Sequence, residues 1–401
     1  MELLTSKTGT QVLFRKVNSS LVDLRYVVQV GALDETDKEE GYAHYIEHLL
    51  FSGTTNRNWQ TINKDCEKIG AVFNAFTGLE ITGYHLGCLK DYWKEAFEIL
   101  ADTLYNPAFP EARWEQIEKP TLVSEIQSVH DNEYESIADE AFRDALGSGY
   151  HSPVGDIEVL KKTKIKELKK FYGKHYCGNN ITLLVTGNLN KQEVLDVVNR
   201  YDRNSGKVSP RKKRYIYSFN YKTLNIDRDM EQSILYLCKP IYVPRTLRSR
   251  TSLEIGVACL NQYLFEELRE KKGLCYDVSA ELEWDIPGNL FLCVGTSTSG
   301  ESFKKIEQEL KSALNDFAKK GLSSDRINNL KLREVYDTVG AKESINLSAD
   351  WMWDAYQDHV YADPFESYLD ILNALNSGSV KRTTQRALQG KVKITRMESK
   401  D

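Results

Sequence analysis

The chain has 401 residues, with 53 Lys and Arg residues against 58 Asp and Glu residues and a net charge of −5. A chain of this length usually forms two or three domains, and its mild charge gives no electrostatic case for binding nucleic acid or an anionic membrane. No apolar run reaches the roughly eighteen residues that span a bilayer, and the N-terminal segment lacks the apolar stretch of a secretory signal. Seven cysteines without a C-x-x-C motif are typical of reduced thiols. These features predict a cytoplasmic protein with no membrane span.

The first half of the chain alternates strands and helices. Apolar residues at every second position of 22–30 have the period of a strand, and they predict a hairpin from Gly9 to Gly31. The elements predicted after it are a helix from Gly41 to Gly53, a helix at Trp59–Ile69, paired strands at Val72–Thr77 and Ile81–Leu86, helices at Asp91–Tyr105, Glu111–Val129 and Lys164–Tyr172, and a strand at Ile181–Gly187.

A proline interrupts one of these helices. Pro120 lies inside the helix at Glu111–Val129, where it removes a backbone hydrogen bond. We therefore expect a kink near Gln116.

The second half repeats this outline after a linker. Residues 204–217 form a polar and basic connector between a domain at 1–203 and a domain at 218–401. The basic run within it also fits a nuclear-targeting or nicking site, although a solvated connector is favoured. The elements predicted after it are a strand at Ser233–Cys238, a helix at Ser252–Lys271, paired strands at Cys275–Leu282 and Asn289–Thr296, helices at Glu301–Lys320 and Ser324–Val339, and an aromatic-rich stretch at Trp351–Tyr361. The repeated order predicts two similar α+β domains, each an antiparallel-rich mixed sheet flanked by helices.

The helix from Gly41 to Gly53 carries a candidate metal site. His44 and His48 are four residues apart, so they project from one face of a helix at a separation that suits one zinc ion. Glu47 emerges beside this pair, and H-x-x-E-H is the inverse of the H-E-x-x-H zinc motif. The alternative is a helix with two exposed histidines and a solvated glutamate.

A catalytic zinc ion requires a third protein ligand, and Glu125 is the candidate. Glu118 lies seven residues before Glu125, so both carboxylates share one face of their helix. The H-x-x-E-H motif followed by paired glutamates at this distance resembles the pitrilysin/insulysin group of metallopeptidases, which includes the mitochondrial processing peptidases.

Three segments carry this resemblance. Residues 41–54 are similar to the zinc-helix segment of the family, and Asn74, Ala75, Phe76 and Thr77 to its substrate-binding edge strand. Residues 264–276 resemble a motif whose Arg and Tyr contact substrate in the family, which here are Arg269 and Tyr276.

The ligand set predicts a mechanism. Zn²⁺ held by His44, His48 and Glu125 would lower the pKa of its water to about 7 and polarise the scissile carbonyl. Glu47 would accept the proton of this water and pass it to the leaving amine. Glu118 would orient a ligand of the metal, unless it is a solvated helix glutamate.

The second-half motif and the edge strand predict how substrate is held. Arg269 and Tyr276 would donate to the oxyanion or to the peptide backbone, unless they are an ordinary helix-end Arg and a packed Tyr. The strand at Asn74–Thr77 would take up an extended peptide as an added strand.

The resemblance also implies an assembly. Related enzymes form a clamshell of four such domains, so this chain would supply half of it and close around peptides as a homodimer or as a heterodimer with a homologous subunit. Unfolded peptides or leader segments are the expected substrates, with general peptide turnover and leader removal from a ribosomally made product both open. The alternative of another class is a non-catalytic or partner-dependent processing-peptidase-like subunit.

Overall fold

The structure is a computed structural model that describes residues 1–208, 219–244, 246–286, 289–299, 303–320 and 322–399. The basic run of the predicted linker, at 211–214, lies outside the described residues. The strands, in chain order, are β1 (Glu2–Thr5), β2 (Gln11–Lys16), β3 (Leu21–Val28), β4 (Val72–Thr77), β5 (Thr82–Leu89), β6 (Ile181–Gly187), β7 (Leu224–Arg228), β8 (Ser233–Ile241), β9 (Val278–Ile286), β10 (Asn289–Thr298) and β11 (Lys393–Ser399).

The helices follow the same chain order. They are α1 (Tyr42–Phe51), α2 (Trp59–Lys68), α3 (Trp93–Tyr105), α4 (Glu111–Arg113), α5 (Lys119–Asp131), α6 (Glu133–Leu146), α7 (Ile157–Lys162), α8 (Ile165–His175), α9 (Lys191–Tyr201), α10 (Leu247–Leu264), α11 (Phe303–Lys320), α12 (Ser324–Glu343), α13 (Ile345–Gln357), α14 (Pro364–Ala374) and α15 (Ser377–Leu388). Two π-helical segments, Trp114–Glu118 and Phe265–Glu270, join α4 to α5 and extend α10. Within the described residues, no helix is long and apolar enough to cross a membrane.

The chain divides into two compact units that exchange segments. The first unit comprises Met1–Ser128, His151–Lys212 and Val339–Ser367, and the second comprises Val129–Tyr150, Lys213–Thr338 and Tyr368–Asp401. The domain boundary expected at 204–217 stays a prediction, because most of that segment lies outside the described residues. Two segments cross between the halves of the sequence. Val129–Tyr150, which contains α6, belongs to the second unit, and Val339–Ser367, which contains α13, belongs to the first.

The first unit is built on a six-stranded sheet with the order β1-β2-β6-β3-β5-β4. β2 pairs with β6 in parallel, and the other neighbours are antiparallel. The hairpin expected from Gly9 to Gly31 is wrong in its pairing, because β6 lies between β2 and β3. The alternation of apolar residues shows which side chains share a face of a strand. It does not show which strand lies next to it in the sheet, because that depends on how much apolar surface each arrangement buries. β6 is buried at every residue, so it occupies the centre of the sheet.

Both faces of this sheet are covered. One face packs on the main core, to which α1, α3 and α8 contribute buried apolar side chains. The other face carries Leu13, Val27 and Leu184, which pack against Ala349, Met352 and Trp353 of α13. The aromatic-rich stretch noted in the sequence is therefore largely a helix that covers the sheet.

The second unit is built on a five-stranded sheet with the order β7-β11-β8-β10-β9, in which only β7 and β11 pair in parallel among its described strands. α6 contacts β8 and β11, and Phe142 meets the ring of Phe291 edge-on at 5.2 Å. Each unit is a mixed, largely antiparallel sheet flanked by helices, which confirms the predicted fold class.

Candidate metal centre

A buried carboxylate holds the N-terminus of α1. Glu35 accepts hydrogen bonds from the backbone N–H groups of Gly41 and Ala43, both at 2.7 Å. The first N–H groups of a helix lack partners within it, and the oxygens of Glu35 supply them. Gly41 has φ of 96°, and a Cβ at this position would lie 2.4 Å from the ring of Tyr45. Only glycine fits this close entry into the helix.

The two histidines of α1 lie side by side. The apolar face of the helix is buried through Ile46, Leu49 and Leu50, and the rings of His44 and His48 meet edge-on with centroids 4.9 Å apart. Nδ1 of His44 lies 3.1 Å from the carbonyl oxygen of Val154. Nδ1–H therefore donates to this carbonyl, which leaves Nε2 free to bind a cation.

Glu125 completes a set of three donors. Its Oε1 lies 3.4 Å from Nε2 of His44, and its Oε2 lies 3.2 Å from Nε2 of His48. Possible ligand atoms of His44, Glu47 and His48 also lie within 4.8 Å of one another. The carboxylate of Glu125 thus lies against the Nε2 atoms of both histidines, and two imidazole nitrogens with one carboxylate are the kinds of donor that hold catalytic zinc. The residues present therefore fit the metal that the motif predicts.

Glu118 lies behind His48 and is buried, with 6 % of its surface exposed. Its Oε2 lies 3.5 Å from Nδ1 of His48. Its Oε1 accepts a hydrogen bond from Ser52 Oγ at 2.7 Å and pairs with Nε of Arg113 at 2.8 Å. This carboxylate therefore faces the histidine rather than the solvent.

The helix that carries both glutamates changes its register before Pro120. Residues Trp114–Glu118 form a π-helical turn, in which the N–H of Lys119 donates to the carbonyl of Trp114. The irregularity lies where the proline predicts a kink, but the helix runs on as α5. Such turns occur frequently at functional sites.

Glu47 lies between the metal site and the edge of the sheet. Its Oε2 accepts a hydrogen bond from Thr77 Oγ1 at 2.6 Å. Thr77 ends β4, which is the outermost strand of its sheet. The residues Asn74–Thr77 pair on one side with β5, from His85 to Thr82. The candidate base is thus attached to the strand that the sequence marks as a substrate-binding strand.

Arg269 and Tyr276 contact each other in the second unit. The guanidinium of Arg269 lies 4.9 Å from the ring centre of Tyr276 and 4.6 Å from that of Phe265. Tyr276 is 75 % exposed. A stacked guanidinium and an exposed phenol present hydrogen-bond donors to solvent.

The carboxylates and histidines shift one another's pKa values. Burial lowers the pKa of His48, but Glu118 and Glu125 outweigh burial and raise it to about 9. Hydrogen bonds with His44 and then His48 hold the pKa of Glu125 well below its usual range. Burial raises the pKa of Glu47, despite the nearby His44 and its bond from Thr77. The carboxyl groups of Glu47, Glu118 and Glu125 therefore act on the two histidines from three sides.

Several residues of this centre were not found from the sequence. Ser52 follows His48 by four residues and so shares its helix face, which is a signal that the sequence offers. Glu35 approaches α1 from the loop that precedes it, the carbonyl of Val154 from a distant segment, and Arg113 through the π-helical turn. Their contacts with the site carry no local signal.

Comparisons with known proteins identify the family. The family model described as insulinase (peptidase family M16) matches residues 12–153, and the model described as peptidase M16 inactive domain matches residues 163–333. A protein of Rickettsia bellii named as an uncharacterized zinc protease is 27 % identical over 387 residues, which cover 92 % of this chain and 90 % of that protein. The beta subunit of the mitochondrial-processing peptidase of Dictyostelium discoideum is 31 % identical over 203 residues, which cover 49 % of this chain and 42 % of that protein.

A comparison of folds also finds a protease. The crystal structure of a protease from Helicobacter pylori superposes with a TM-score of 0.88 and covers 99 % of each chain at 18 % identity. At this identity the likeness speaks for the fold, and the two family models together span more than half of the chain. These matches confirm the resemblance that the H-x-x-E-H motif indicates, and the chain belongs to the insulinase (M16) peptidase family.

Proposed function

We propose that this protein is a zinc-dependent endopeptidase that cleaves unfolded peptides or leader segments. The observation that carries this proposal is the position of the Glu125 carboxylate against Nε2 of both His44 and His48, with Glu47 clustered beside the two histidines. Zinc held by these three residues supplies Lewis-acid chemistry at a peptide carbonyl and a lowered pKa for water.

The residues around this point have separate roles in the proposal. A carboxylate oxygen of Glu47 accepts the proton of the attacking water and delivers it to the nitrogen of the leaving amine. Thr77 holds Glu47 through its hydroxyl, and Glu118 orients the ring of His48. Each role uses a contact within hydrogen-bonding reach or close to it.

The substrate binds as an added strand. An extended peptide pairs with the free edge of β4 along Asn74–Thr77, so main-chain hydrogen bonds supply affinity with little sequence preference. The contact between Thr77 and Glu47 supports this placement, because it brings the end of the strand next to the base. The stacked pair of Arg269 and Tyr276 donates to the peptide backbone or to the oxyanion.

The assembly and the location belong to the same proposal. Two chains form a chamber that admits unfolded peptides, and a homologous subunit can replace the second copy. The match to a subunit of the mitochondrial-processing peptidase supports such pairing. The seven free cysteines support a cytoplasmic location.

One finding favours a second candidate, a non-catalytic or partner-dependent subunit. The family model that matches residues 163–333 is described as an inactive domain. It covers the segment after the metal-site helices, so an active first unit and this match are compatible.

Hydrolysis of a mixed set of unstructured peptides by the purified, zinc-loaded chain tests the proposal. We expect Glu47→Gln to lose at least about 100-fold in turnover, the scale of general acid–base catalysis, while its zinc content stays at the wild-type level. Glu67→Gln, an exposed glutamate of α2, is the matched control. Wild-type turnover in zinc-loaded Glu47→Gln would refute the assignment of the base, and an inert zinc-loaded wild type would favour the second candidate.

A further inference from the structure

Arg113 and Ser52 enclose one oxygen of Glu118. Nε of Arg113 lies 2.8 Å from Oε1 of Glu118, and Ser52 Oγ donates to the same oxygen at 2.7 Å. Nε of Arg113 also donates to Ser52 Oγ at 3.2 Å. With Oε1 held from two sides, only Oε2 remains to face Nδ1 of His48.

The guanidinium is itself held in place. It lies over the ring of Trp59 at 4.7 Å from the ring centre, and a cation in this position is attracted by the face of the indole. A connected series of contacts thus runs from Trp59 on α2 through Arg113 and Glu118 to His48 on α1. Since Glu118 is a buried carboxylate, the loss of its partners would leave an uncompensated charge.

The π-helical turn explains why Arg113 reaches Glu118. The two residues are five apart, and in an α-helix of 3.6 residues per turn their side chains would point about 140° away from each other. In a π-helical turn the backbone hydrogen bond spans five residues, which brings positions five apart close to the same side. The turn at Trp114–Glu118 lies directly between the two side chains.

We infer that Arg113 and Ser52 are positioning residues of the metal centre, brought to Glu118 in part by the π-helical turn, and that they act on His48 through Glu118. This inference rests on the proposed zinc site. Their part is to keep the Glu118 carboxylate in the orientation that fixes the ring of His48. Groups that orient metal ligands in this way typically contribute tenfold to a hundredfold to metal affinity.

The test measures zinc affinity by competition with a chelator, without reference to turnover. We expect Arg113→Gln to weaken zinc binding about tenfold or more. Lys119→Gln is the matched control, because Lys119 is the neighbouring cation on the same helix and pairs with Glu115 instead. Ser52→Ala removes a single hydroxyl and should also weaken zinc binding, by a smaller factor, so the test does not depend on the folding of the arginine variant.

A double variant tests the route. If Arg113 acts through Glu118, adding Arg113→Gln to Glu118→Gln should cause no further loss of zinc affinity. The positioning role would be overturned, while the zinc site stands, by either of two results. One is a double variant whose loss of zinc affinity equals the product of the two single losses, and the other is wild-type zinc affinity in both Arg113→Gln and Ser52→Ala. A wild-type chain without measurable zinc affinity would overturn the zinc site and this role together.

Discussion

Single side chains at the candidate metal centre make separate contacts. Glu125 faces both Nε2 atoms, whereas Glu118 faces Nδ1 of one histidine. The hydroxyl of Thr77 donates a hydrogen bond to Glu47. Substitutions at these three positions should therefore affect zinc content, zinc affinity and turnover in different proportions.

Removal of the third ligand should remove the metal. We expect Glu125→Ala to retain little zinc after dialysis, because two imidazoles remain of three donors. Glu118→Ala should keep part of its zinc and lose activity, since it keeps all three donors but frees His48. Metal analysis of the dialysed variants checks this. Equal zinc in the wild type and Glu125→Ala would exclude Glu125 as a ligand.

The hydroxyl of Thr77 should act on turnover. Thr77→Val keeps the shape of the side chain and removes the bond to Glu47, so we expect kcat to fall about tenfold, with zinc content unchanged. A hydrogen bond to a charged group typically contributes about 1.5–3 kcal/mol, which allows a loss of this size. Thr77→Ser should restore kcat. A change in KM alone would show that Thr77 contacts the peptide instead.

At the scale of elements, α13 is the clearest case of a helix placed by tertiary contacts. It follows the second-unit helices in the sequence but lies on the first sheet. Arg15 reaches from β2 to donate to Ser348 Oγ at 2.9 Å, and Arg25 on β3 pairs with Asp350. Arg15 and Arg25, on two strands of the first sheet, are therefore partners of α13.

The apolar face of α13 should contribute strongly to stability. Met352 is fully buried against the sheet, whereas Leu347 on the same helix is 49 % exposed. We expect Met352→Ala to lower the free energy of unfolding by about 2–5 kcal/mol, as for other buried large-to-small changes. Leu347→Ala is the control and should cost less than about 1 kcal/mol. Urea denaturation measures both. Equal costs would mean that α13 does not cover the sheet in solution.

The same interface should make stability depend on pH. Asp23 is 1 % exposed, and burial raises its pKa to about 7. Arg25, whose Nε lies 3.9 Å away, lowers this pKa, and Asp350 raises it further. Burial and then Arg25 lower the pKa of His85 nearby.

A carboxyl whose folded pKa is raised stabilises the fold fully below its unfolded pKa near 3.8, and this contribution is lost as the pH rises through 7. In the wild type the free energy of unfolding should therefore fall by roughly 1 kcal/mol per pH unit between pH 3.8 and 7. Asp23→Asn should remove this fall. Denaturation midpoints from pH 4 to 8 check it, with Asp196→Asn on the exposed face of α9 as control. An unchanged slope would show that Asp23 is ionised in the fold.

At the scale of the whole molecule, this chain carries both the metal residues and the Arg269–Tyr276 pair. If two copies form the proposed chamber, each site could take these two motifs from one chain or from both. Mixing inactive subunits distinguishes these arrangements.

If the two motifs of a site come from different chains, we expect an equimolar mixture of Glu47→Gln and Arg269→Ala subunits to recover about a quarter of wild-type turnover. Random exchange makes about half of the dimers mixed, and each mixed dimer has one intact site out of two. Turnover no higher than that of the separate variants would place both motifs of a site in one chain. Light scattering that shows a fully active, stable monomer would contradict the chamber.

Most of the elements could be predicted from the sequence, and so could the residues that meet at the metal centre. The helical spacing of His44 and His48, and of Glu118 and Glu125, is a local property of the backbone, so it is visible in the sequence. Strand β6 and helix α2 were likewise expected at nearly their observed bounds. Helices α6 and α9 were missed, although each begins with an asparagine that caps its N-terminus.

Contacts between distant segments were decided by the tertiary structure alone. The insertion of β6 between β2 and β3, and the exchange of α6 and α13 between the units, depend on which apolar faces cover each other, and many partners satisfy the same pattern of apolar residues. The sequence alone therefore predicted the candidate donors and most element types, because the spacing of the two histidines, of the two glutamates and of the apolar residues follows the period of the backbone. Packing of the whole chain determined the neighbours and the orientation of the donors, because those contacts join residues with no periodic relation.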